Sequence, residues 1–165
     1  MAKFCIECGT ELIMKEDGKE GMIPFCPSCN AFRYPQYNVA VSMITRDKKT
    51  GKILLIKQYG RDSYILVAGY VNRGEAAEQA VVREVKEETG LTVSEICFNR
   101  TSFFERSNTL MCNFTAWVED AAELNTNEEI DSCNWFTPEE ARENIRPNSL
   151  AEEFLLAYLN GAEHE

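Results

Sequence analysis

Acidic side chains recur at short spacing between residues 75 and 88. They include the carboxylates of Glu75, Glu84, Glu87 and Glu88. Residues three and four apart lie on the same face of a helix, so Glu84 is expected beside both Glu87 and Glu88. Like charges so placed destabilise an isolated helix by roughly 0.2–0.5 kcal/mol per pair. A divalent cation removes that repulsion, and Mg²⁺ accepts carboxylate oxygens as ligands. The pattern indicates a metal-binding helix rather than a solvated acidic face.

The helix that carries these carboxylates has its own local signals. Glu75 is expected in the first turn, where the helix dipole favours negative charge. An apolar stripe faces the core and consists of Ala77, Ala80, Val81 and Val85. Arg83 precedes Glu87 by four residues, a spacing that favours an ion pair. Gly90 follows the last apolar turn and predicts the end of the helix. A rigid helix of this kind is required to aim metal ligands.

Four cysteines near the start of the chain form a second pattern. Cys5-x2-Cys8 and Cys26-x2-Cys29 are separated by 17 residues, which matches the spacing of a four-thiolate zinc site. The alternatives are two disulfides or unrelated buried cysteines. Disulfides require an oxidising compartment, yet no apolar signal segment begins the sequence and the seven cysteines are odd in number. We expect a structural zinc ion, because four thiolates leave no open position for chemistry.

The other three cysteines, Cys97, Cys112 and Cys133, occur in apolar, strand-like contexts. We expect them to be small buried hydrophobic residues.

Composition limits the classes of function. The 165 residues carry a net charge of −10, which disfavours unspecific binding to nucleic acid or to anionic membranes. No run of 18 apolar residues occurs, so no membrane span or membrane partner is expected, and the predicted location is the cytoplasm. The one histidine, His164, stands next to the C-terminus, which argues against a histidine-based mechanism.

The order of predicted elements indicates an α/β fold with two parts. Residues 1–34 are predicted to form a zinc ribbon with a hairpin around Asp17-Gly18, and residues 35–165 a larger domain beginning at Pro35. Strands are predicted at 39–43, 52–58, 65–68, 91–105 and 110–118, and further helices begin at Thr137 and Ser149. Strands on both sides of one helix, followed by terminal helices, predict a mixed sheet between helices.

Residues 69–91 read G-x5-E-x7-R-E-U-x-E-E-x-G-U, where U is apolar. This motif resembles the signature of the Nudix hydrolases, which cleave a diphosphate linked to another moiety with Mg²⁺ or Mn²⁺. The resemblance implies a Nudix-type α/β/α sandwich after the zinc ribbon, with Glu84, Glu87 and Glu88 as metal ligands and Glu75 bracing the loop. It also implies a further metal-binding glutamate downstream. Glu129, six residues before Trp135, matches that position, and its neighbour Glu128 competes for the role.

A longer stretch is similar to the C-terminal half of NADH pyrophosphatases, which split NAD(H) into a nicotinamide mononucleotide and AMP; some act on NAD-capped RNA. The similarity comprises the cysteine ribbon, Arg33-Tyr34-Pro35-Gln36, and residues 66–71 before the motif. In that family two aromatic residues stack on a base, and one of them comes from the partner subunit of a dimer. Tyr70 and Tyr34 match these positions, although both could be ordinary packing residues. A downstream proline-rich motif of the family is replaced here by residues 101–109, where Phe104 retains an aromatic side chain.

These resemblances predict an enzyme that hydrolyses the diphosphate bond of a nucleoside-diphosphate-linked substrate. NADH, NAD or a related dinucleotide is the first expectation. ADP-ribose and nucleoside triphosphates are alternatives, as is a non-catalytic, nucleotide-sensing module. Mg²⁺ or Mn²⁺ and a structural Zn²⁺ are the expected cofactors, and the protein is expected to be a homodimer that meets nucleic acid only as a capped RNA end. The general base stays open between Glu87 and Glu129.

Overall fold

The computed structural model describes residues 3–162, so His164 lies outside the described part of the chain. The chain divides into two compact units, Met1–Tyr37 and Asn38–Glu165. This boundary lies three residues after the one that we placed before Pro35. Each unit has its own sheet.

The first unit contains a small antiparallel sheet of three strands. The strands are β1 (Ile13–Glu16), β2 (Met22–Cys26) and β3 (Ala31–Phe32), in the order β1-β2-β3. The β1–β2 hairpin encloses Asp17-Gly18, as the sequence predicts. The two-residue β3 was not predicted, because it is too short to show an alternating pattern. Buried side chains among the described residues of this unit are Cys5, Pro24, Phe25 and Cys26. So small a core requires a further source of stability.

The described residues of the second unit form six strands and three α-helices. They are β4 (Asn38–Asp47), β5 (Ile53–Gln58), β6 (Val67–Tyr70), α1 (Ala77–Thr89), β7 (Val93–Phe104), β8 (Thr109–Val118), β9 (Ile130–Phe136), α2 (Pro138–Asn144) and α3 (Leu150–Ala162). Among the described residues, no helix is both long and apolar enough to cross a membrane.

The six strands form one mixed sheet. Its order is β7-β8-β4-β5-β9, and β6 pairs with β4. The central pair β4–β8 is parallel, and the other pairs are antiparallel. The second edge of β4 is shared, because Ala40–Met43 pair with β6 whereas Arg46 pairs with Ile53 of β5.

Helices cover both faces of this sheet. On one face, α1 contributes Ala80, Val81 and Val85 to a core with Leu54 and Ile56 of β5. On the other face, α2 and α3 pack on Ile53 and Leu55. Successive residues of β5 thus serve opposite cores, because side chains alternate along a strand. The predicted α/β/α sandwich with a mixed sheet is confirmed.

Two local predictions were wrong. Helix α1 begins at Ala77, so Glu75 lies in the preceding loop rather than in the first turn. Its carboxylate accepts the backbone N–H of Asn72 and two hydrogen bonds from Arg83, which holds it outside the helix. Cys97 is exposed rather than buried, because β7 is an edge strand of the sheet. Cys112 and Cys133 are half-buried.

Candidate functional site

The four cysteines of the first unit converge. The sulfurs of Cys5, Cys8, Cys26 and Cys29 all lie within 4.8 Å of one another. Individual Sγ–Sγ distances are 4.0 Å for Cys5–Cys29, 3.5 Å for Cys8–Cys26 and 3.4 Å for Cys8–Cys29. Tetrahedral zinc with Zn–S bonds of about 2.3 Å separates its sulfurs by about 3.8 Å. The donor set and its spacing therefore fit a structural Zn²⁺.

Hydrogen bonds shift the pKa values of two thiols of this cluster in opposite directions. A hydrogen bond with Thr10 is the main cause that lowers the pKa of Cys8 to about 6, whereas hydrogen bonding to Cys8 and Cys26 raises the pKa of Cys29 to about 12. Four neighbouring thiols cannot all ionise without a cation to offset their charge. A coordinating metal ion deprotonates such thiols. Arg33 donates from Nε to the Cys5 sulfur at 3.3 Å and adds a positive charge beside the cluster.

A cleft of about 430 Å³ in the second unit gathers the other predicted groups. Three of the four predicted metal-binding carboxylates line it, namely Glu84, Glu88 and Glu129, and so does Tyr70. Glu84 and Glu88 lie on α1, and Glu129 directly precedes β9. Helix α1 and the start of β9 thus contribute to one concave surface.

Glu84 is packed tightly against β6. Its side chain is 13% exposed, and Arg83 donates to its Oε1 at 2.6 Å. A methyl group added at Gly69 would lie closer than 3.0 Å to the carboxyl carbon and to both oxygens of Glu84. The first glycine of the motif is therefore required as space for this carboxylate.

Arg83 organises the start of the motif. It donates to Glu75 at 2.7 and 2.9 Å, to Glu87 at 3.0 Å and to the carbonyl of Tyr70 at 2.9 Å, in addition to Glu84. The hydrogen bonds from Arg83 to Glu75, together with the N–H of Asn72, lower the pKa of Glu75 to about 2. The sequence predicted only the Arg83–Glu87 pair. Arg83 ties the loop, α1 and β6 into one rigid assembly.

Glu88 is a buried carboxylate. Its residue is 5% exposed, and Gln58 donates from Nε2 to its Oε2 at 3.2 Å. Burial raises its pKa to about 7, and the negative charges of Glu84, Glu129 and Glu87 add to the shift. Burying a carboxylate beside like charges is costly unless a cation compensates. The hard oxygen donors of this cleft fit Mg²⁺ or Mn²⁺.

The carboxylates are less tightly gathered than the cysteines. Within residues 3–162, the cysteine cluster is the only group of three or more potential metal-ligating side chains whose ligand atoms approach to 4.8 Å. Glu87 has a side chain that is 58% exposed, is held by Arg83 and does not line the cleft. Glu128 is exposed and does not line the cleft either.

The remaining predicted aromatic residues are Tyr34 and Phe104. Tyr34 belongs to the first unit, is exposed, and donates its hydroxyl to Asp17. Phe104, at the end of β7, does not line the cleft but a separate hollow of about 380 Å³, together with Ser149 and Leu150 at the start of α3. Their predicted roles in substrate binding stay predictions.

Tyr59 lines the cleft and was not predicted as a site residue from the sequence. Tyr59 follows β5 directly, and its hydroxyl donates to Oε2 of Glu129 at 3.3 Å. Its backbone is left-handed, with φ of 57°, and Gly60 follows with φ of 67°. A tyrosine-glycine pair after an apolar strand is the signal that could have indicated a tight turn here.

Comparisons with known proteins agree with this geometry. A NUDIX domain model matches residues 36–156. The chain is 29% identical over 137 residues to the NAD-capped RNA hydrolase NudC of Pseudomonas aeruginosa, a match that covers 82% of this chain and 48% of that protein. It is 32% identical over 135 residues to the NudC protein of Photobacterium profundum, covering 80% and 48%. The chain thus spans about half the length of these curated relatives.

A solved structure supports the fold independently. The crystal structure of a NUDIX hydrolase from Nitrosomonas europaea aligns with a TM-score of 0.69 at 23% identity, over 99% of this chain and 93% of that one. At this identity the likeness concerns the fold alone. The Nudix type of the α/β/α sandwich is confirmed.

Proposed function

The chain belongs to the NUDIX family, and on that basis we propose that it hydrolyses the diphosphate bond of a nucleoside-diphosphate-linked substrate with Mg²⁺ or Mn²⁺. One observation carries the proposal. Glu84, Glu88 and Glu129 line the same cleft as the exposed ring of Tyr70. The reaction needs carboxylates to hold a cation at the diphosphate and an apolar ring to hold a base, and both lie on one concave surface.

The roles of the residues follow from their positions. Glu84, Glu88 and Glu129 would hold the cation, and Glu87 is a fourth candidate ligand. A divalent cation held by these residues would supply charge compensation for the diphosphate and would lower the pKa of a nearby water. Arg83 fixes the carboxylate of Glu84. Glu129 lines the cleft, whereas Glu87 points its carboxylate at Arg83. Of the two candidate general bases, Glu129 is therefore the better placed to accept a proton from the attacking water.

We favour an NAD-type dinucleotide as the substrate. The relatives at 29% and 32% identity are named NAD-capped RNA hydrolases. The net charge of −10 disfavours extended contact with RNA, so an RNA substrate would be bound through its capped end. ADP-ribose and nucleoside triphosphates share the diphosphate and the base, and they remain the alternatives to test.

The proposal includes the other expected features of the protein. Zn²⁺ on Cys5, Cys8, Cys26 and Cys29 would stabilise the first unit. The protein would act in the cytoplasm as a homodimer, and Tyr34 of the partner subunit would stack on the base opposite Tyr70. The resemblance to NADH pyrophosphatases supports this arrangement.

A substrate screen tests the function. Purified protein is incubated with NADH, ADP-ribose, diadenosine polyphosphates or nucleoside triphosphates in Mg²⁺ or Mn²⁺, and the products are identified by mass. We expect AMP and reduced nicotinamide mononucleotide from NADH. Glu88→Gln keeps the shape of the side chain but removes its charge, so kcat should fall at least about 100-fold. Glu139→Gln, an exposed change on α2, is the control. Binding of nucleotides without turnover by the wild-type protein would contradict the proposal.

A further inference from the structure

Two consecutive residues at the end of β5 hold two different carboxylates of the cleft. Gln58 is buried and donates from Nε2 to Oε2 of Glu88 at 3.2 Å. Tyr59 is exposed and donates its hydroxyl to Oε2 of Glu129 at 3.3 Å. Glu88 lies 30 residues after Gln58 in the chain, and Glu129 lies 70 residues after Tyr59. One dipeptide thus connects α1 with the segment before β9.

The backbone at this dipeptide departs from a regular strand. The pairing of β5 with β9 shifts register between Lys57 and Gln58. Tyr59 then adopts φ of 57°, which is uncommon for a bulky residue and persists only where the surroundings enforce it. The N–H of Gly60 donates to Oδ2 of Asp131 at 2.7 Å and fixes the turn from the other side. In a regular strand, residues 58 and 59 would point to opposite faces, whereas here both reach groups of the same cleft.

The chemistry of the two donors suits a cation site. An amide N–H and a phenol O–H orient a carboxylate without cancelling its charge. Glu84 and Glu87 are instead held by the guanidinium of Arg83, which competes with a cation for the same oxygens. Ligands of metal ions commonly depend on such outer hydrogen bonds, whose loss weakens metal binding about 10–100-fold.

We propose that Gln58 and Tyr59 are positioning residues that hold Glu88 and Glu129, respectively, in the orientation required for binding the divalent cation. This inference rests on the proposed function, because it takes Glu88 and Glu129 as metal ligands. It also assigns the ligand role to Glu129 rather than Glu128, because the hydroxyl of Tyr59 donates to Glu129.

A double-mutant cycle on Mn²⁺ affinity tests the inference. Mn²⁺ binding is measured by titration calorimetry for the wild-type protein, Tyr59→Phe, Glu129→Gln and the double variant. We expect Tyr59→Phe to weaken Mn²⁺ binding about tenfold, and to have no further effect when Glu129 is already replaced. Raising the Mn²⁺ concentration should restore the activity of Tyr59→Phe. Additive effects in the double variant would overturn the inference, because Tyr59 would then act independently of Glu129.

Two further variants define the controls. Tyr64→Phe removes a hydroxyl that accepts from Asn134 outside the cleft, so Mn²⁺ affinity should be unchanged. Gln58→Met removes the donor to Glu88 at similar volume and should weaken Mn²⁺ binding like Tyr59→Phe. Unchanged affinity in either variant would overturn the inference for that residue.

The outcomes also separate this inference from the proposed function. If the wild-type protein hydrolyses a nucleotide and Tyr59→Phe binds Mn²⁺ normally, only the inference fails. If Mn²⁺ binding shows the expected coupling but no nucleotide is cleaved, only the function fails. A wild-type protein that binds no Mn²⁺ would overturn the inference directly.

Discussion

Replacing Gly69 by alanine tests the link between the motif's first glycine and the proposed metal site. The added methyl group would overlap the carboxyl carbon and both oxygens of Glu84. Gly69 does not have a positive φ, so the backbone tolerates alanine and the effect is purely steric. Arg83 donates a hydrogen bond to the Glu84 carboxylate at 2.6 Å, which opposes a rotation of this side chain away from the added methyl group. Either Glu84 must leave its position or β6 must shift away from α1.

The substitution is expected to affect stability modestly and the rate of hydrolysis strongly. Overpacking costs about 1–3 kcal/mol, which for a chain of this size lowers the Tm by roughly 2–12 °C. Displacement of a catalytic group by about 1 Å costs about 100-fold in rate. We therefore expect Gly69→Ala to remain folded, to bind Mn²⁺ more weakly and to lose about 100-fold in kcat. Thermal melting, Mn²⁺ titration and steady-state kinetics measure the three quantities.

Gly161→Ala is the matched control for this prediction. Gly161 lies in α3, and a methyl group there would meet no atom within 4 Å. Alanine favours a helix over glycine by about 0.5–1 kcal/mol, so this variant should keep its activity and lose no stability. Wild-type turnover and metal affinity in Gly69→Ala would refute the argument that Glu84 depends on the space above Gly69.

Three further predictions concern the cysteine cluster, the aromatic pair and the motif loop. Metal analysis should find one zinc ion per chain, and Cys26→Ser should lose it and unfold the first unit, because ligand thiolates contribute directly to folding; a zinc-free wild-type protein would contradict this. Tyr34→Ala should raise KM about tenfold without changing Mn²⁺ affinity, as expected for loss of a stacking platform; an active monomer by light scattering would remove the shared site. Glu75→Gln should lower the free energy of unfolding at neutral pH. The folded pKa of Glu75 is about 2 against an ordinary value of 4.5, so its contribution is full above pH 4.5 and is lost as the pH falls towards 2. Denaturant titrations should show the two proteins converging over that range, and a difference that persists at pH 2 would argue against the ion pair.

Features set by nearby residues were predictable from the sequence. The spacing of Glu84 and Glu88 places both on one side of α1, and both line the cleft. The spacing of the two Cys-x2-Cys pairs predicts a four-thiolate cluster, and the four sulfurs lie within 4.8 Å of one another. Thr137 caps α2 and Glu140 completes the capping box, as their positions before and within the helix predict. The helix spacing and the capping box are decided by residues a few positions apart, whereas the cysteine pairs meet across 18 to 24 residues and are predicted by their sequence spacing.

Features set by distant contacts were not predictable. Glu87 and Glu88 have equal claims in the sequence, but packing of α1 buries Glu88 and leaves Glu87 exposed beside Arg83. Tyr59 reaches Glu129 only because of the register shift between β5 and β9 and the left-handed turn that follows. A single sequence contains no local signal for a strand register that joins residues 58 and 130.

The parallel pairing of β4 with β8 has a consequence for the order of folding. Residues 38–47 pair with residues 109–118, so the centre of the larger sheet closes across 71 positions. Such non-local pairs form slowly, and they cannot form on the ribosome until residue 118 has left the exit tunnel. The β1–β2 hairpin of the first unit joins residues at most 12 positions apart. We therefore expect the cysteine unit to take up the proposed zinc ion during synthesis, well before the cleft of the second unit exists.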